Sequence, residues 1–200
     1  MTLIVFDIGN VLLRWQPQAA FRHAMDSDVE IDAMLEKVGF YDWNYEQDRG
    51  RTRAEAVAAI SAHWPDHADL MDQFFDRFHL TIRDKIAGSW ALLAELRARG
   101  HRPWALTNWG PDTWPEALRL HPELEEAFEG IVVSGHEGLA KPDRAIFDLF
   151  FARAGIAPEA CFFIDDSAAN VAGARNAGWK AHHFTEAERL RADLCERGFL

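Results

Sequence analysis

Cysteine is nearly absent from this 200-residue chain, which carries only Cys161 and Cys195. Two such thiols supply neither a disulfide framework nor the paired spacing of a metal ribbon, so a reducing cytoplasm is the expected compartment. Cys161, next to Phe162 and Phe163, is expected to be buried. Long apolar runs are missing too. The stretch Leu3-Ile4-Val5-Phe6 is too short for a signal-peptide core and has no basic leader, and no other run approaches a membrane span, so no membrane partner is expected. Basic residues are scarce: 21 Lys and Arg against 32 Asp and Glu leave a net charge of −11. That field repels nucleic acid and anionic membrane surfaces. It leaves room for a small anionic substrate, because a metal ion and one lysine reverse the potential locally. There is no internal repeat, low-complexity tract or long linker. The 48% of apolar and aromatic residues suits one core with a moderate insertion.

The most informative residues are Phe6-Asp7-Ile8-Gly9-Asn10-Val11-Leu12. An apolar run ends on a carboxylate and breaks at once into a Gly-Asn turn, which puts Asp7 at the C-terminal edge of a short strand. In a parallel α/β sheet ligands bind outside those edges. Beyond it the pattern turns helical: about 17–26 after Pro17, about 28–38 after Ser27, Ala56 to Trp64 behind the capping box Thr52-Arg53-Ala54-Glu55, and Asp66 to Phe78 with Leu70, Phe74, Phe75 and Phe78 on one face. Trp43 to Gly50 has no clean helical stripe. It concentrates polar and aromatic groups, which makes Asn44 and Gln47 candidates for substrate recognition.

From Gly88 onward helices and strands alternate. A helix over Trp90–Arg99 stops at Gly100, and strands are expected at Pro103 to Leu106, ending at Thr107, at Ile131 to Val133, ending at Ser134, and at Cys161 to Ile164, ending at Asp165-Asp166. Helices are expected near 143–154, 167–177 and 186–197, the last behind the capping box Thr185-Glu186-Ala187-Glu188. This alternation predicts an α/β fold with a doubly wound, Rossmann-like parallel sheet. Its functional residues share one rim. His182 and His183 are adjacent in a late strand and point to opposite faces, which argues against a shared metal site.

Taken singly, Thr107 is a strand-end turn residue, Lys141 a solvated charge, and Asp165-Asp166-Ser167 a helix cap. Together they form a set: a nucleophilic carboxylate, a hydroxyl donor, a lysine and a second acidic group, as phosphoryl transfer through an aspartyl phosphate requires. Asp7-Ile8-Gly9-Asn10, Thr107-Asn108, Lys141-Pro142 and Asp165-Asp166-Ser167 with Asn170 resemble the four ordered motifs of haloacid dehalogenase (HAD) superfamily hydrolases. The resemblance implies a core of residues 1–14 and 83–200 with a helical cap at 15–82. It implies Mg²⁺ held by Asp7, Asp165, Asp166 and the Gly9 carbonyl, with Asp166 the more direct of the acidic pair. Asp7 attacks phosphorus, Thr107 and Asn108 donate to a phosphoryl oxygen, Lys141 offsets charge, and amides of the Ile8–Asn10 turn assist. Trp15 and Trp109, each just past a motif, belong near the cleft.

One position departs from the pattern. Most phosphatases of this superfamily carry a second Asp two residues after the nucleophile, as general acid and base; here it is Gly9. Metal-independent dehalogenases also lack that acid, but they lack the acidic pair of the fourth motif, which this chain keeps. A non-catalytic phospholigand-binding protein is a further alternative. The Asp-x-Gly-Asn-Val motif is similar to that of a group of cytoplasmic sugar-phosphate phosphatases that includes glucose 1-phosphate enzymes. The expected activity is hydrolysis of a small phosphorylated metabolite. Losing the acid favours weakly basic leaving groups, hence sugar 1-phosphates over 6-phosphates, except where water on Mg²⁺ or a cap side chain such as Asp48 replaces it.

Overall fold

The opening apolar run forms β1 (Leu3–Phe6), whose Ile4, Val5 and Phe6 are all buried. Burial of consecutive residues means that both faces are covered, as in a parallel sheet flanked by helices. In the computed structural model, which describes residues 2–200, β1 is the middle of five parallel strands. The others are β2 (Trp104–Thr107), β3 (Gly130–Val133), β4 (Cys161–Asp165) and β5 (Lys180–His183), in the order β3-β2-β1-β4-β5. The two faces feed separate cores. Val5, Leu106, Val132 and Phe163 pack with Phe147, Phe150 and Trp179 on one side. Ile4, Phe6, Ala105, Phe162 and Ile164 join a larger apolar body on the other. Cys161 is buried, as expected.

Between β1 and the helix that precedes β2 lie α1 (Asp28–Val38), α2 (Phe40–Asp48), α3 (Arg53–His63) and α4 (Ala68–Arg77). Ser27 Oγ caps α1 by accepting from Glu30 N at 3.2 Å. The Thr52/Glu55 capping box opens α3, each side chain accepting from the other residue's backbone. An aromatic knot ties this helical insertion together. Phe74 contacts Phe40, Phe21, Trp43, Phe75 and Phe78 with ring centroids 5.2–6.1 Å apart. Phe78 in turn meets Trp109, just past β2, at 5.6 Å.

The helix expected over 17–26 is only a 3-10 turn at Pro17–Ala20. Phe21 caps it, ring-buried against Phe40 and Phe74, and the chain turns to reach the Ser27 cap. The segment 43–50 is mostly helical instead of irregular, because α2 buries Phe40, Trp43 and Gln47 along one face. A polar residue completes that stripe, which hid it. The helix before β2 is α5 (Ala87–Ala98), starting three residues earlier than Trp90. Between β2 and β3 stand two unanticipated helices, α6 (Trp114–Leu120) and α7 (Glu123–Ala127), and β3 runs directly into α8 (Ser134–Glu137).

The remaining helices are α9 (Arg144–Ala154), α10 (Ala168–Asn176) and α11 (Ala187–Glu196). α9 starts after Asp143, whose carboxylate goes to Arg49 at 2.6 Å instead of capping its own helix. The Thr185 box does not form: Glu186 holds the N-cap position of α11 without a side-chain capping bond, and its carboxylate accepts from Arg189 Nε at 2.7 Å. Among the described residues no helix is long and apolar enough to cross a membrane.

Candidate active site

The sheet order decides which residues meet. β1 lies between β2 and β4, so the residues just past its C-terminal end neighbour those ending β2 and β4. Asp7 continues the ladder, its N–H donating to Ile164 O at 2.8 Å. Behind it the chain reverses in a tight turn: Leu12 and Leu13 N–H both donate to Ile8 O, and Asn10 takes φ +52°. Asn tolerates that left-handed conformation better than most residues. Its side-chain oxygen accepts from Trp15 N at 3.0 Å and closes the loop.

Asp7, Asp165 and Asp166 each present a carboxylate oxygen, and these oxygens lie within 4.8 Å of one another. Lys141 Nζ reaches into the group, 3.0 Å from Asp7 Oδ1 and 2.7 Å from Asp165 Oδ2, and also donates to Leu106 O at 2.9 Å. Asp165 is fully buried and saturated, accepting from Lys141, Ser167 N and Asn170 Nδ2. Asn108 brackets the lysine's backbone, donating to Lys141 O and accepting from Lys141 N, both at 2.9 Å. Ser167 caps α10, as expected, accepting from Asn170 N.

The electrostatics follow from three carboxylates facing one ammonium. Burial pushes Asp7 up to about 8; Lys141 opposes this, while Asp165 and Asp166 add to it. Burial and Asp165 likewise raise Asp166, with Lys141 and Asn10 opposing. Burial works to lower Lys141, but Asp165 and Asp7 outweigh it and hold the ammonium above its ordinary value. The excess negative charge on hard oxygen donors is what a divalent cation neutralises, so the residues present fit such an ion. A second fit is at Thr107, whose buried hydroxyl has no hydrogen-bond partner among the described residues. Such an orphan costs about 1–3 kcal/mol unless a ligand oxygen satisfies it.

A cavity of about 210 Å³ opens above the cluster. Asp7, Gly9, Asn10, Asn108 and Asp166 form its floor from the sheet side, and Trp15, Asn44, Asp48, Phe78 and Trp109 complete it. Of the residues singled out in the sequence, Trp15, Trp109, Asn44 and Asn108 are therefore brought to one cavity with Asp7. Thr107 and Lys141 lie buried beneath it. Gln47 is not brought there: it is buried, and Arg51 Nε donates to its Oε1 at 2.6 Å. It faces inward because it completes the buried stripe of α2. His182 and His183 take separate partners, Asp193 and the Asp166 carbonyl, both at 2.8 Å. Phe78 is the cavity residue that sequence reasoning assigned only to a helix face; nothing local distinguishes it from Phe74 or Phe75.

At the C-terminal rim of a parallel sheet, an acidic cluster beside a buried lysine forms a site that can hold a divalent cation and an anionic group. The haloacid dehalogenase-like hydrolase family matches residues 1–178, and the chain belongs to it. It is 29% identical over 177 residues to a glyceraldehyde 3-phosphate phosphatase of Pyrococcus furiosus, covering 86% of this chain and 72% of the relative. Over 92 residues it is 38% identical to a phosphoserine phosphatase of Thermus thermophilus, covering 46% of this chain and 36% of that one. A HAD family enzyme of Bacteroides thetaiotaomicron, solved as the wild-type protein with magnesium and inorganic phosphate, superposes with TM-score 0.70 at 23% identity, covering 92% of this chain and 94% of its own. The chain is thus a HAD-family hydrolase, and its neighbours share the fold.

Proposed function

We propose that this chain is a Mg²⁺-dependent phosphatase of small, neutral, ring-bearing phosphate monoesters, sugar 1-phosphates among them, with residues 1–14 and 83–200 as core and 15–82 as cap. The observation that carries the reading is the convergence of the Asp7, Asp165 and Asp166 carboxylates, with Lys141 Nζ against the first two. Mg²⁺ at Asp7, Asp166 and the Gly9 carbonyl, with Asp165 behind, supplies charge neutralisation for the phosphoryl oxygens. Asp7 is the nucleophile, and Lys141 and the Thr107 hydroxyl stabilise charge on the transferring group. The relatives named as phosphatases and the neighbour holding magnesium and phosphate support the same chemistry.

The substrate class rests on the cavity wall. No Lys, Arg or His is among its lining residues. A carboxylate or second phosphate on the leaving group would therefore be desolvated there without a cationic partner. Trp15, Phe78 and Trp109 present apolar faces, while Asn44 can bond hydroxyls. A sugar offers both surfaces. Gly9 supplies no proton donor of its own to the departing oxygen.

The test is phosphate release from a panel of phosphorylated metabolites and p-nitrophenyl phosphate, with and without Mg²⁺, beside chloride release from L-2-chloropropionate. Expected are metal-dependent phosphate release, loss of turnover in a folded Asp7→Asn variant, and preference for neutral sugar phosphates over phosphoserine. Metal-independent chloride release would make the chain a dehalogenase, and release of neither product a binding protein.

A further inference from the structure

The core rim offers no acid at Gly9, yet nothing there excludes one. A Cβ built on Gly9 meets no atom within 4 Å, and its backbone is not in the left-handed region. The glycine is therefore not demanded by packing, and the proton that an alkyl leaving group needs has to come from elsewhere on the cavity wall. The lining holds three carboxylates, two of which, Asp7 and Asp166, belong to the acidic cluster. The third is Asp48, on the insertion.

Asp48 is the last residue of α2, and that helix end is fastened to the core at several points. Ser134 Oγ donates to Asp48 O at 2.6 Å, and Trp109 N donates to the same Oγ at 2.9 Å. Tyr45 OH donates to Lys141 O at 3.3 Å, and Arg49 pairs with Asp143 at 2.6 Å. Gly50 follows with φ +98°, so close to the core that an added Cβ would sit 3.0 Å from Gly135 O. These contacts hold the carbonyl of Asp48 on the start of α8, directly after β3, while Asp48 lines the cavity. That half-buried carboxyl has no hydrogen-bond or ion-pair partner among the described residues, in contrast to saturated Asp165.

Resting on the phosphatase reading above, we propose that Asp48 is the catalytic acid and base of this enzyme, delivered to the rim by the helical insertion in place of the residue missing at Gly9. In the first half-reaction an Asp7 oxygen bonds to phosphorus as the ester P–O bond breaks. The bond pair goes to the departing oxygen, which takes the proton of the Asp48 carboxyl and leaves as the neutral alcohol. In the second, water adds to phosphorus and gives a proton to the Asp48 carboxylate. The acyl-phosphate bond breaks toward Asp7, and hydrogen phosphate departs with both side chains restored. Burial supplies the acid form the first step needs, pushing Asp48 up to about 7 against the opposing effect of Lys141.

The experiment is kcat/KM with Mg²⁺ over phosphate esters of graded leaving-group basicity, from p-nitrophenyl to alkyl, for the parent, Asp48→Asn, and Asp48→Asn with Gly9→Asp. General acid catalysis contributes ~10²–10⁴-fold. Asp48→Asn is expected to lose about that much on alkyl esters and less than about fivefold on p-nitrophenyl phosphate, whose departing oxygen needs no proton. The parent is expected to show a shallow dependence on leaving-group basicity, Asp48→Asn a steep one, and the double variant a shallow one again. Equal loss on both ester types, or no loss, overturns the proposal while leaving the phosphatase reading intact. If Asp48→Asn does not fold by circular dichroism, Asp48→Ser is read the same way, and a steep dependence in the parent overturns the proposal without any variant. A parent that hydrolyses neither ester overturns the phosphatase reading and this proposal with it.

Discussion

Lys141 Nζ donates to Asp165 Oδ2 at 2.7 Å, and both side chains are wholly buried. Asp165, held by Asn170 and Ser167, aims the ammonium, which then reaches Asp7 at 3.0 Å. Removing one partner of a buried pair leaves the other charge uncompensated, at about 3–5 kcal/mol. Lys141→Met is therefore expected to lower urea-unfolding stability by about that amount and to reduce phosphatase turnover by at least ~10²-fold. A Met variant of parental stability would mean that the cluster sheds its charge by protonation when the lysine is gone.

Metal affinity should divide unequally between the two acids of β4 and its exit. Asp166 lines the cavity, whereas Asp165 is buried and fully hydrogen-bonded. A ligand that binds only the folded state raises its stability with concentration. Millimolar Mg²⁺ is expected to raise the Tm of the parent clearly and that of Asp166→Ala hardly at all, in thermal scans with EDTA as the reference. A full Mg²⁺ shift in Asp166→Ala would move the ion's ligands elsewhere.

Asn44 and Gln47 were equivalent candidates on sequence grounds, and the fold separates them. Asn44 lines the cavity; Gln47 is packed under α2 with Arg51 on its oxygen. Asn44→Ala is expected to change kcat/KM ratios among sugar phosphates more than turnover of p-nitrophenyl phosphate, because a lost hydrogen bond to a substrate hydroxyl alters discrimination and leaves the phosphoryl site intact. Gln47→Ala is expected to lower Tm instead, with those ratios kept. The reverse pattern would place the substrate against the other face of α2.

What the sequence made legible was the rim. β1, β2 and β4 are apolar runs that lead into or end on a polar residue, and the end of a strand has one position in a parallel sheet, so Asp7, Thr107 and Asp165 are placed on one rim by the sequence pattern alone. α2 was not legible, since its buried stripe of Phe40, Trp43 and Gln47 includes an amide that no hydrophobic pattern counts. The place of Asp48 was harder still to read. It depends on Ser134, Asp143 and Gly135, which α2 meets only through tertiary docking, and on Arg49 turning Asp143 away from its own helix cap. Local spacing carries periodicity and caps, not which helix end lands on which loop.

The enclosure of Asp48 has a consequence for stability that is independent of catalysis. Its carboxyl shifts from an ordinary 3.8 to about 7 on folding, chiefly through burial, with Lys141 opposing. Below the lower value both folded and unfolded chains hold the proton, and the group contributes nothing. Between the two values the unfolded chain has released its proton and the folded chain has not, so stability falls as pH rises through that window. Above about 7 the penalty is complete. Asp48→Asn removes the titration with little change of shape. In EDTA, its Tm is expected to rise relative to the parent progressively from about pH 4.5 to about pH 7 and to stay level beyond. Asp7 and Asp166 in the same cavity, and Lys141 beneath it, titrate in both proteins and largely cancel in the difference. A Tm difference that does not vary with pH would show that the Asp48 carboxyl is as well hydrated in the folded protein as in the unfolded chain, and would remove the enclosure on which its acid form depends.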